Sequence, residues 1–227
     1  MSNTQQNQTF GDISINGDRN TFTVNQIIQV SVASVQTREL KLTSPYRGLK
    51  EFDYKYKDLF FGRDQLIASL VNAVKTSNLV LVLGASGSGK SSVIRAGLIP
   101  QLSQLLGATF CDFIFTPDQD PFDSFRTSLI SGGYKQSDAN LALKGDSNTL
   151  KQVYQNLKEE KSQWLIFIDQ FEEIFSLCQD LEKRKNFIES IVQITEDEEA
   201  SVKIVLAMRN DFLDQFSPYP KLGRIAE

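Results

Sequence analysis

Residues 84–91 read Gly-Ala-Ser-Gly-Ser-Gly-Lys-Ser, and no other stretch restricts what this chain can fold into so tightly. The spacing G-x-x-x-x-G-K-[ST] is met without a mismatch, directly after the apolar run LVLVL and directly before SSVIRAGLI. Glycines at 84, 87 and 89 let the backbone turn tightly and bring its N–H groups together, and a helix beginning there aims its positive end at the same point. Such a loop grips phosphate. Gly84, Ala85, Ser86, Gly87, Ser88 and Gly89 form the cradle, and Lys90 meets the β- and γ-phosphates. Ser91 offers a hydroxyl to Mg²⁺, and Ser92 completes the run.

The flanking pattern supplies the architecture. Residues 79–83 read as a short buried strand, 108–116 as a second, 164–169 as a third and 202–208 as a fourth. Between them lie helical segments: Leu66, Ile67, Leu70, Val71 and Val74 recur at helical spacing, Lys90 opens a helix, Pro121 stands near the start of another, and 148–161 and 180–194 follow. Strands alternating with helices imply a mostly parallel sheet covered on both faces, a three-layer α/β/α domain. Chemistry in such sheets sits beyond the carboxyl ends of the strands.

One polar cluster falls at that edge in LIFIDQFEEIF, residues 165–175. An aspartate ending an apolar strand is the usual partner that holds Mg²⁺ on the far side of the phosphates, which is the expectation for Asp169. Glu172 and Glu173 follow closely enough for one to handle the attacking water. Their mutual repulsion beside Asp169 implies that the other faces solvent, and Glu172 is preferred as the catalytic group. After the fourth strand, Arg209 and Asn210 stand where side chains reach a γ-phosphate, although Asn210 also suits a helix cap.

Composition narrows the alternatives. At 227 residues and 41% hydrophobic, the chain suits one α/β domain with an appendage. A net charge of −4 argues against direct nucleic-acid binding, and Lys183-Arg184-Lys185 reads as a solvated helix face. The absence of histidine removes His metal sites and His bases. Cys111 and Cys178 read as buried, reduced and unpaired. No apolar run approaches membrane-spanning length and the N-terminus lacks a signal pattern, so the expectation is a cytoplasmic protein without a membrane partner. SGGYKQ at 131–136 reads as a loop. No N-K-x-D element is present to read guanine, so ATP is favoured over GTP. Residues 1–42 form an Asn/Gln-rich arm with β-type alternation around Ile13, Ile15, Phe22 and Val24, read either as a floppy arm with a weak strand or as a self-pairing β segment. The domain proper is taken as 43–227.

YRGL at 46–49, FFGR at 60–63, GASGSGKSS at 84–92, TPDQDPF at 116–122, DQFEE at 169–173 and RNDF at 209–212 together resemble the STAND class of signal-transduction NTPases. The similarity is greatest to the bacterial branch often fused to WD40 or TPR repeats, and it runs from Ser44 to Lys221. It implies a sheet of order 5-1-4-3-2 and places Phe61, Gly62 and Arg63 against the adenine. It also implies Asp169, Glu172, Glu173 and Arg209 at the phosphates, and a switch in which ADP holds a closed form and ATP favours an oligomer. No apolar run remains after the fourth strand for the fifth, and the winged-helix lid and repeat sensor of the family do not follow, so the chain reads as truncated or as half of a split system. Two functions are therefore expected as alternatives: an ATP-binding, ATP-hydrolysing switch using Mg²⁺, or a non-catalytic assembly module with a self-associating arm. Either associates with itself or with a partner chain supplying the missing elements.

Overall fold

The computed structural model describes residues 14–17, 20–23, 62–160 and 162–223. The chain divides into two compact units, Met1–Ser44 and Pro45–Glu227. In the first, strands β1 (Ser14–Gly17) and β2 (Asn20–Thr23) pair antiparallel, with Ser14 opposite Thr23 and Gly17 opposite Asn20. YRGL, Phe60 and Phe61 lie outside the described residues.

The second unit is built on four strands: β3 (Leu79–Leu83), β4 (Phe110–Phe115), β5 (Gln163–Ile168) and β6 (Val202–Met208). Every pairing is parallel, in the order β3-β6-β5-β4. That is the expected 1-4-3-2 arrangement of a three-layer P-loop fold.

Period-2 alternation explains why β5 is apolar without a break from Trp164 to Ile168. Leu165 and Phe167 join one core with Ile67, Leu70, Val71 and Val74 of α1 (Asp64–Thr76) and with α2, which runs over residues 90–106. Trp164, Ile166 and Ile168 join the opposite core, under α3 (Pro121–Ser131), α4 (Thr149–Leu157) and α5 (Leu181–Thr195). A strand covered on both faces has no position for a polar side chain, so the first carboxylate waits until the strand ends. Trp164 packs among Phe113, Tyr134 and Tyr154, with ring centroids 4.6, 5.9 and 5.2 Å away.

Several local expectations are corrected. Leu66 is 42% exposed, because α1 turns only Ile67, Leu70, Val71 and Val74 inward. Strand β3 is buried only at Leu79, since it is one of the two outer strands, and Leu83 reaches 38% exposure. Cys111 is half-buried. Asn210 is the first residue of a 3₁₀ turn, Asn210–Phe216, and does not cap it.

The basic run 183–185 is not a plain solvated face: Lys183 Nζ meets Asp120 Oδ2 at 2.6 Å, and Arg184 donates to the Cys178 carbonyl at 2.6 Å. Asp120 also caps α3 by accepting from the Phe122 and Asp123 N–H groups, so it fastens two helices.

Candidate phosphate and metal site

At the carboxyl edge of the sheet the chain from β3 enters the glycine-rich loop, and the Gly84 N–H donates to the Met208 carbonyl at the end of β6 (3.3 Å). Gly87 and Gly89 have φ of 71° and 90°, a left-handed conformation that costs a side-chain-bearing residue about 1 kcal/mol or more. Lys90 opens α2 immediately afterwards. Its Nζ donates to the Gly84 carbonyl at 2.8 Å and the Ala85 carbonyl at 2.9 Å, which holds the ammonium at the mouth of the loop.

Asp169 arrives from the other side. Its N–H is tied to the Phe115 carbonyl at the end of β4 (2.9 Å), and two residues on the Phe171 N–H is tied to Ala207 in β6 (2.8 Å). Gln170 between them has φ of 49°, the one non-glycine among the described residues with positive φ. This reversal brings the carboxylates back over the strand ends.

Asp169 is 2% exposed, and its Oδ1 accepts from the Ser91 hydroxyl at 2.8 Å and from the Gln170 N–H at 3.0 Å. Its Oδ2 accepts from Arg95 Nη2 at 3.2 Å. Sequence reasoning missed Arg95. The signal was available: it lies four residues beyond Ser91, so the two share one face of α2.

Glu172 and Glu173 are both half-buried, so the two are not divided into one buried and one fully exposed carboxylate. Glu172 Oε2 accepts from the Arg209 N–H at 3.3 Å, which anchors it to the end of β6. Burial pushes the Glu173 carboxyl up, with further repulsion from Glu172, Asp118 and Asp169.

The sign of that shift sets a prediction. A carboxyl raised in the fold costs stability once ionised, so its penalty is absent below the ordinary value of 4.5 and grows as pH rises through the folded value. Glu173→Gln is therefore expected to raise the melting temperature at pH 7 in chelating buffer, by less than about 1 kcal/mol in stability. The gain should vanish near pH 4 in parallel melts, and a gain that is constant with pH would refute the assignment.

Arg209 turns its guanidinium onto Asp211, with Nε–Oδ1 at 3.0 Å and Nη2–Oδ2 at 2.5 Å. That hydrogen bond is the main reason the Asp211 carboxyl sits below its usual range, with Lys90 a smaller cause. Of the aromatic-Gly-Arg element, Gly62 and Arg63 directly precede α1, and Phe61 lies outside the described residues.

The donor set suits magnesium. Ser91 and Asp169 present two hard oxygens 2.8 Å apart beside a phosphate cradle, and Mg²⁺ commonly takes one or two protein oxygens and completes its shell with phosphate and water. Among the described residues no group of three His, Cys, Asp or Glu side chains stands together to hold a metal alone.

A family model described as "Novel STAND NTPase 1" matches residues 45–227. No curated protein matches the chain. Among solved structures, the ORC2 protein of Aeropyrum pernix, described as ADPNP-ADP complexes, superposes with a TM-score of 0.52 at 12% identity. The match covers 73% of this chain and 46% of that one, so the chain spans less than half of that protein's length. At this identity the likeness shows the fold alone. Among the described residues no helix is long and apolar enough to cross a membrane.

Proposed function

The chain belongs to the novel STAND NTPase 1 family, and from that membership we propose that Pro45–Glu227 binds ATP with Mg²⁺, hydrolyses it, and changes its self-association with the nucleotide bound. One observation carries the reading: Ser91 and Asp169, 78 positions apart in sequence, converge to 2.8 Å beside Lys90. The nucleotide held by the Aeropyrum protein supports the ligand class.

In the proposed mechanism the loop N–H groups and Lys90 bind and neutralise the β- and γ-phosphates. Ser91 and Asp169 would hold Mg²⁺, which would supply charge neutralisation to the phosphates. Glu172, anchored through the Arg209 N–H, orients the attacking water. Arg209 exchanges Asp211 for the γ-phosphate, so its partner reports which nucleotide is bound. Gly62 and Arg63, with Phe61, take the adenine.

A ligand shifts a population only by binding its two states unequally, so ADP and ATP must differ here. Analytical ultracentrifugation of the full chain is expected to show a larger species with Mg²⁺ and a non-hydrolysable ATP analogue than with ADP. Equal masses in both would sink the switch.

A second reading rests on β1 and β2. Two four-residue strands are marginal as an isolated hairpin, which favours pairing with further strands. In that reading residues 1–42 self-associate and the nucleotide domain is passive, so the assembly would be the same with or without nucleotide.

A further inference from the structure

Arg95 is placed where the phosphate-loop reading gives it no task. It projects from the π-helical stretch Val93–Leu98 of α2, a departure from α-helical hydrogen bonding often found at functional sites. Its Nη2 lies 3.2 Å from Asp169 Oδ2, and its guanidinium carbon is 5.8 Å from the centroid of the Phe167 ring, two residues earlier on β5. The Arg95 side chain is 27% exposed and that of Asp169 is 3% exposed. A carboxylate withdrawn this far from water needs a compensating charge. Arg95 supplies one that cannot be removed by deprotonation.

The geometry points to Arg95 as a built-in counter-cation of Asp169, a positioning residue that occupies one carboxylate oxygen permanently and so weakens the site's hold on Mg²⁺. Resting on the nucleotide reading, the two oxygens of Asp169 have separate duties. Oδ1 faces Ser91, where the metal would be held, while Oδ2 faces the guanidinium. A dication arriving at Oδ1 meets a carboxylate whose charge is already half-committed, with a positive group just behind it. The site then retains the metal chiefly when phosphate oxygens add their own negative charge, so that metal and nucleotide bind as a unit. A residue that merely braced Asp169 would have the opposite effect on removal: the carboxylate would wander and metal binding would weaken.

The test uses the full chain and three forms: wild type, Arg95→Gln and Arg95→Lys. ATP affinity is measured by calorimetry over a series of Mg²⁺ concentrations and in EDTA, and Mn²⁺ alone is titrated into nucleotide-free protein by electron paramagnetic resonance. In Arg95→Gln the Mg²⁺ concentration giving half of the tightening of ATP binding is expected to fall at least about five- to tenfold, the lower limit set by one unit charge about 4 Å away at the dielectric of bulk water. Mn²⁺ alone should bind more tightly by a similar factor, and Arg95→Lys should stay near wild type. An unchanged or weakened metal dependence in Arg95→Gln, with ATP still bound in EDTA, overturns the counter-cation role while leaving the nucleotide reading intact. Failure of wild type to bind ATP under any condition overturns the nucleotide reading instead, and the Mn²⁺ titration then decides the role of Arg95 alone.

Discussion

Lys90→Ala is expected to reduce Mg-ATP affinity at least about 100-fold in calorimetry, with the fold unchanged by circular dichroism. The ammonium is bonded to the Gly84 and Ala85 carbonyls, so it is already aimed at the loop mouth and loses little freedom when phosphate arrives. Two unit charges 4 Å apart interact by about 4 kcal/mol at an effective dielectric near 20, and a polyphosphate presents several charges. Even after desolvation takes back half of this, more than a 10-fold change remains for each phosphate charge contacted. The side chain contributes nothing to either hydrophobic core, so stability should hold. Unchanged ATP affinity in this variant would remove the phosphate site as the basis of function.

Much of this arrangement was legible before the fold was known. The phosphate loop is a local device whose geometry depends on glycines and on the helix that follows, so its spacing alone carries it. Asp169 was legible because the apolar run ahead of it must be a strand covered on both faces, and a strand's end places its next side chain at the sheet edge. Arg95 shares a helix face with Ser91, which pointed it toward the site, but the carboxylate it meets stands 74 positions away and is brought there by packing. Lys183 and Arg184 were misread for that reason: Asp120 and the Cys178 carbonyl are brought to them by packing, and nothing in a run of like charges announces it. The partial exposure of β3 likewise depends on which strand stands outermost, a property of topology that no five-residue window contains.

Glu172→Gln is expected to bind ATP as wild type does while phosphate release falls by about 10²- to 10⁴-fold, the range over which a positioned acid or base acts. The case for Glu172 over Glu173 is positional. Glu172 is held by the Arg209 N–H at the end of β6, the strand whose Met208 carbonyl also receives the Gly84 N–H of the glycine-rich loop. Glu173 instead shares its surroundings with three carboxylates, Glu172, Asp118 and Asp169, and burial raises it. A raised carboxyl is a better proton acceptor near neutrality, which argues the other way, so the two variants must be compared directly. If fixation governs, Glu172→Gln loses turnover and Glu173→Gln keeps most of it while gaining stability at neutral pH. If basicity governs, the order of the two reverses, and normal phosphate release in Glu172→Gln would transfer the role to Glu173. Since glutamine can still accept from the Arg209 N–H, the comparison separates the loss of charge from the loss of the anchor.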